Sequence, residues 1–172
     1  MKAAIRDDNP IIFLEAELLY GVKGEVPAGE FLLPIGKADL KREGKDATIV
    51  TWSRMYYFAE QAAQMLEQEG IQVDLLDLRT LKPLDEEAIL ASVRKTNRVV
   101  VVEEGWNFCG LGAQIADLLQ SRAFDELDAP VERVTGLDVN RSYAAVLEKA
   151  TEVSAERIVA GVKKVLYREE GS

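Results

Sequence analysis

Four consecutive valines, Val99 to Val102, set the strongest constraint on how this chain can fold. β-Branched side chains favour extended backbone, and a run without polar alternation buries both faces of a strand. Such a strand belongs in a sheet covered by helices on each side. The rest of the chain supplies the covers. DATIVTW (46–52) and IQVDLLDL (71–78) read as two further strands, and between them Met55, Phe58, Ala59, Ala62, Met65 and Leu66 recur at helical spacing until Gly70. Asp85 precedes EEAILASVRK, which has acidic residues in its first turn and Arg94 and Lys95 in its last, the charge order that suits a helix dipole. A helix over 112–123, a strand in PVERVTG (130–136) and a final helix over 155–168 complete the alternation. Repeated strand and helix units predict an α/β fold in three layers, α/β/α, around a mainly parallel sheet.

The first 45 residues break this rhythm. KAAIRDDNP reads as a helix end that Pro10 bars from continuing, and IIFLE (11–15) as a strand with no helix behind it. The stretch that follows is rich in glycine, proline and charge, which suits a connector with an edge strand around Phe31 to Ile35. The expected organisation is a remnant of a preceding domain over 1–20, a linker and edge strand over 21–45, and one domain over 46–172. An unpaired apolar strand is a template for another chain, so the isolated chain is expected to form a homodimer through 11–15.

Composition removes several classes of function. With 48% hydrophobic and 30% charged residues, 172 residues suffice for one substantial core. The 30 acidic and 21 basic residues give a net charge of −9, and the bases are scattered, so nucleic acid and anionic membranes are excluded as expected partners. A lone cysteine, Cys109, and the lack of a long apolar run point to a reducing compartment, the cytosol or an organelle matrix. There is no histidine, which removes Ser/His and Cys/His nucleophile pairs, an imidazole base and a His/Cys zinc site.

The remaining candidates are weaker than they look. Gly105, Gly110 and Gly112 follow the valine strand as a phosphate loop would, but Ile115 occupies the place of the third glycine in a dinucleotide fingerprint. The acidic residue expected after a second strand is Asp128, which instead precedes one, and a phosphate-loop lysine is missing; a packing turn is expected. Glu103 and Glu104 are adjacent in a strand, point to opposite faces and cannot share one proton transfer; one of them is expected to cap the following turn. Cys109 has no base nearby and reads as a turn or buried thiol. Trp52, Tyr56, Tyr57 and Phe58 suit a core boundary better than a stacking platform. Asp74 and Asp77 lie on opposite faces, with Arg79 a local ion-pair partner for Asp77. In AFDELDAPVE, Asp125, Glu126, Asp128 and Glu132 fall in one turn-like segment without a compensating lysine or arginine in it. From the residues alone no catalytic residue, cofactor-binding residue or metal ligand is selected.

Five stretches, NPIIFLEAELLYG (9–21), LPIGKADLKREGKDATIVTWSRM (33–55), DLRTLKPLDEEAI (77–89), KTNRVVVVEEGW (95–106) and DAPVERVTGLDV (128–139), resemble the C-terminal part of the β subunit of the pyruvate dehydrogenase decarboxylating component, in the transketolase-like superfamily. The resemblance covers nearly the whole chain. It implies a transketolase C-terminal-like domain with a five-stranded mixed sheet, in which EEGWNFCGLGAQI is a structural turn. It also implies a family that uses thiamin diphosphate and magnesium, bound by a pyrimidine domain and an α subunit; no cofactor ligand carries over to this chain, and Glu15 and Glu17 match the domain junction. Expected partners are an α subunit, a second β subunit and, on the acidic surface of Asp125, Glu126, Asp128 and Glu132, the basic subunit-binding domain of an acyltransferase. The implied role is assembly and docking in a bacterial cytoplasm or mitochondrial matrix, with the isolated chain inactive. A stand-alone binding domain and one half of a split transketolase-like enzyme are the alternatives. The chain departs from the family at Asn140-Arg141-Ser142, where family members carry prolines; Tyr143 and Leu147 keep the pattern.

Overall fold

In the computed structural model, which describes residues 1–168, the elements run in chain order as helix α1 (Lys2–Ile5), strand β1 (Asp39–Arg42), β2 (Ala47–Thr51), α2 (Met55–Gln68), β3 (Val73–Asp77), α3 (Glu86–Thr96), β4 (Val99–Trp106), α4 (Leu111–Arg122), β5 (Glu132–Gly136), α5 (Ala145–Thr151) and α6 (Ala155–Val165). Single 3-10 turns occupy Glu17–Leu19 and Phe124–Glu126. The five strands form one sheet in the order β1-β3-β2-β4-β5, parallel except for the antiparallel edge strand β1. This is the three-layer α/β architecture with a mixed five-stranded sheet.

The two faces of the sheet carry separate cores. Ile49, Leu75, Val100, Val102 and Val134 pack with Ala59, Ala62 and Leu66 of α2 and with Ile158 and Val162 of α6. Val50, Leu76, Val99 and Val101 pack on the other face with Ile89, Leu90 and Val93 of α3 and with Ile115 and Leu119 of α4. Every valine of the 99–102 run is fully buried, as two-sided cover requires. Local caps fix the helix ends. The Asp85 carboxylate accepts from the Ala88 amide at the start of α3, and Asn97 ends that helix in the left-handed conformation, φ 60°, which asparagine tolerates.

Two expected strands are not formed. Residues 11–15 are exposed and irregular, and so are 31–34, with Ile35 half-buried in a turn; the edge strand instead uses the polar DLKR of β1. An edge position needs ladder partners on one side only, and β3 supplies them through Asp39–Asp77, Leu40–Leu76 and Arg42–Leu75. A charged edge strand also resists pairing with another chain. Helix α5 forms without burying any residue.

Candidate functional site

The strand order places a divergence in the middle of the sheet. The chain leaves β2 for its neighbour β3 through α2 on one face, and leaves β4 for β5 through α4 on the other. A crevice opens between the carboxyl ends of strands where connections part in this way, and ligands of open α/β sheets bind there. Here it is a cavity of about 320 Å³ whose wall includes Arg54, Glu104, Trp106, Leu137, Arg141 and Glu152.

Arg54 forms its floor. It follows β2, precedes the first turn of α2 and is only 8% exposed. Its Nη2 forms an ion pair with Glu104 at 2.8 Å and donates to Glu152 at 3.3 Å, and its guanidinium lies 5.8 Å from the Phe58 ring centre. Its Nε has no acceptor among the described residues. Glu152 is shared, since Arg141 Nη2 donates to the same Oε1 at 3.0 Å. Two guanidinium groups and two carboxylates thus hold one another across the crevice. Such a set recognises and positions charge; it offers no free base for proton transfer.

The opposite face of β4 carries a buried clasp. The ladder between β4 and β5 is irregular between Val102 and Trp106, and there Glu103 turns under α4 while Glu104 turns toward Arg54. Glu103 is buried, accepts from the Gly112 amide at 3.2 Å and pairs with Arg133 at 2.9 Å. Arg133 also donates to the Asn107 carbonyl, tying down the turn that follows β4. Glu103 therefore caps α4, and the glycines exist to admit it: a Cβ at Gly110 or Gly112 would sit 2.5 or 2.6 Å from its Oε1. Just before Gly110, Cys109 is exposed with φ 54°, a turn thiol.

Asp74 is another buried carboxylate with a cation. It is fully buried, accepts from the Gly44 amide and the Ser92 hydroxyl, and pairs with Lys95 Nζ at 2.6 Å. Asp77 lies beyond it, and burial pushes its carboxyl above the usual value of 3.8 despite the hydrogen bond it accepts from the Arg79 amide. The expected Asp77–Arg79 ion pair is not made: the Arg79 guanidinium pairs with Asp39 across the β1–β3 edge. The aromatic residues form no platform, because Trp52 packs with one core and Tyr56 and Phe58 with the other.

The acidic segment is at the opposite end of the sheet from the crevice, below the start of β4, where the Asp128 amide donates to the Asn97 carbonyl. It is not without compensating bases. Glu126 pairs with Arg94, Asp128 with Arg98 and Glu132 with Lys164, at 3.0, 3.2 and 2.8 Å. All three cations come from other elements that the fold brings alongside. Asp125 is exposed and makes no ion pair among the described residues. Among the described residues no cluster of three acidic, cysteine or histidine side chains is arranged to hold a metal, and Glu103 and Asp74 are committed to Arg133 and Lys95. These two carboxylates are therefore not free to hold a magnesium ion.

Residues 36–158 match the model of the transketolase C-terminal domain. The chain belongs to that family. It is 48% identical over 172 residues to the pyruvate dehydrogenase E1 component subunit beta, mitochondrial, of Dictyostelium discoideum, covering 98% of this chain and 48% of that protein. It is 50% identical over 167 residues to the corresponding subunit of Rickettsia felis, covering 97% and 51%. The chain spans about half the length of these relatives. Among solved structures, a split-gene transketolase described as an inactive β4 tetramer superposes with a TM-score of 0.71 at 34% identity, covering 86% of this chain and 47% of that one. The transketolase C-terminal domain thus has bacterial and mitochondrial relatives, and no helix among the described residues is long and apolar enough to cross a membrane.

Proposed function

We propose that this transketolase C-terminal domain serves assembly and docking in a thiamin-diphosphate-dependent 2-oxo acid dehydrogenase β subunit and is not catalytic alone. The observation that carries this reading is the unevenness of the surface. The core is complete on both faces of the sheet, yet Ile12, Leu14, Leu18 and Val26 in the N-terminal stretch and Tyr143, Val146 and Leu147 beyond β5 stand exposed. Exposed apolar side chains in such number suit subunit interfaces, and they support an α subunit and a second β subunit as partners. In this reading residues 1–20 close a preceding pyrimidine-binding domain. The same exposed stretch supports a homodimer of the isolated chain, and the relatives support a bacterial cytoplasm or mitochondrial matrix as its place.

The acyltransferase's basic subunit-binding domain is the proposed occupant of the acidic segment. Asp125 offers it the readiest charge, because Glu126, Asp128 and Glu132 must first be shared with Arg94, Arg98 and Lys164. Half of a split transketolase-like enzyme is the second reading, favoured by the likeness to the split-gene transketolase. Calorimetry tests the first. Thiamin diphosphate with magnesium titrated into the isolated chain is expected to give no binding heat, and micromolar magnesium-dependent binding overturns the proposal. For docking, Asp125→Lys is expected to weaken capture of the basic domain without lowering Tm, and unchanged, salt-independent affinity removes the acidic segment from the interface.

A further inference from the structure

One wall of the crevice between β2 and β4 is supplied by the excursion that joins β5 to α6. Leu137, Val139, Arg141, Thr151 and Glu152 all face it. This excursion has almost no packing of its own. Helix α5 buries no residue, and Val139, Tyr143, Val146 and Leu147 are exposed. Its two ends are fixed, by the Leu137 amide donating to the Thr151 carbonyl at 2.9 Å and by Arg157 donating to the Glu152 carbonyl at 2.8 Å. What holds the middle is Arg141, through Glu152 at 3.0 Å and Glu148 at 3.6 Å. Glu152 in turn is anchored from below by the buried Arg54.

We propose that residues 138–150 form a strap over this crevice and that Arg141 is its latch. The crevice is the ligand-binding position of an open α/β sheet, and the strap closes it from within the same chain. Because the latch is an exposed ion pair on an element without a core, strap opening is a local event separate from unfolding of the sheet. An exposed ion pair shifts such an equilibrium by about 1.5- to 5-fold, and salt screens it. Arg54 keeps Glu104 when Arg141 lets go, so the floor of the crevice persists in the open state.

Hydrogen exchange on the full chain, followed by mass spectrometry, tests the latch. Amides of 145–151 are expected to exchange about 1.5- to 5-fold faster in about 1 M than in about 0.01 M KCl. Arg141→Ala is expected to show the fast rate in both, while amides of β2 and β4 stay unchanged. In a Trp52→Phe background, acrylamide quenching of Trp106, which lines the crevice, is expected to rise in step. Equal exchange of 145–151 in parent and variant overturns the proposal. So does an acceleration that β2 and β4 share, since the pair would then be holding the whole fold and not the strap.

Discussion

Gly112→Ala sets two effects of opposite sign against each other. Gly112 is the second residue of α4, and in a helix alanine is favoured over glycine by about 0.8–1 kcal/mol. Against this, the new methyl would sit 2.6 Å from Glu103 Oε1 and 3.1 Å from Arg133 Nε. A flexible surface side chain would step aside. Glu103 cannot, because it is buried and held by the Gly112 amide at 3.2 Å and Arg133 at 2.9 Å. Displacing it weakens a hydrogen bond to a charged acceptor, which is worth about 1.5–3 kcal/mol, and loosens an ion pair whose complete loss costs about 3–5 kcal/mol. Partial loss of both, less the helix gain, leaves a net destabilisation of about 2 kcal/mol. For a domain of this size that lowers Tm by about 4–8 °C. Thermal and urea unfolding followed by circular dichroism measure it, with Gly105→Ala as the comparison because a Cβ there meets nothing within 4 Å. The cycle closes with Glu103→Ala, in whose background Gly112→Ala is expected to cost nothing. A Gly112→Ala protein as stable as the parent, or an equal cost with and without Glu103, would mean that Glu103 does not need the space at Gly112.

Lys95→Met leaves the fully buried Asp74 without its cation and is expected to cost about 3 kcal/mol in urea unfolding, with much of the loss recovered by adding Asp74→Asn. Asp77→Asn is expected to be more stable than the parent at pH 7, because burial raises the folded-state pKa above 3.8 and the charged form is the disfavoured one. The raised pKa favours the folded parent most fully below 3.8 and that benefit is lost as pH rises through the folded value, so the advantage of the asparagine variant is expected to shrink as pH falls and to vanish below 3.8, as read from Tm against pH.

Backbone placement was legible wherever a local pattern sufficed. The valine run gave β4, the apolar spacing from Met55 gave α2, and period-two alternation gave the opposed directions of Glu103 and Glu104. Residues 11–15 and 31–35 show where such patterns mislead, since an apolar run becomes a strand only if a neighbouring edge is available. The free edge of β3 went to DLKR, whose charged side chains can face solvent there. Charge pairing was the least legible feature. Arg54 and Glu152 are 98 positions apart, and no local spacing announces that they meet.

The acidic segment illustrates the same physics from the other side. Read alone, it has four carboxylates and no base; folded, Arg94 and Arg98 reach it from either end of the turn between α3 and β4, and Lys164 from α6. Long basic side chains span the gap between elements, so their partners are fixed by which elements the sheet order makes neighbours. The sheet order also decides where a site can be. Parallel β2 and β4 are neighbours whose outgoing connections run to opposite sides, and that alone leaves a crevice at their carboxyl ends. Arg54 and Glu104 are the residues that β2 and β4 deliver to it, and the excursion after β5 brings Arg141 and Glu152 to meet them. A chain with the same strands in another order would carry the same four residues and no site.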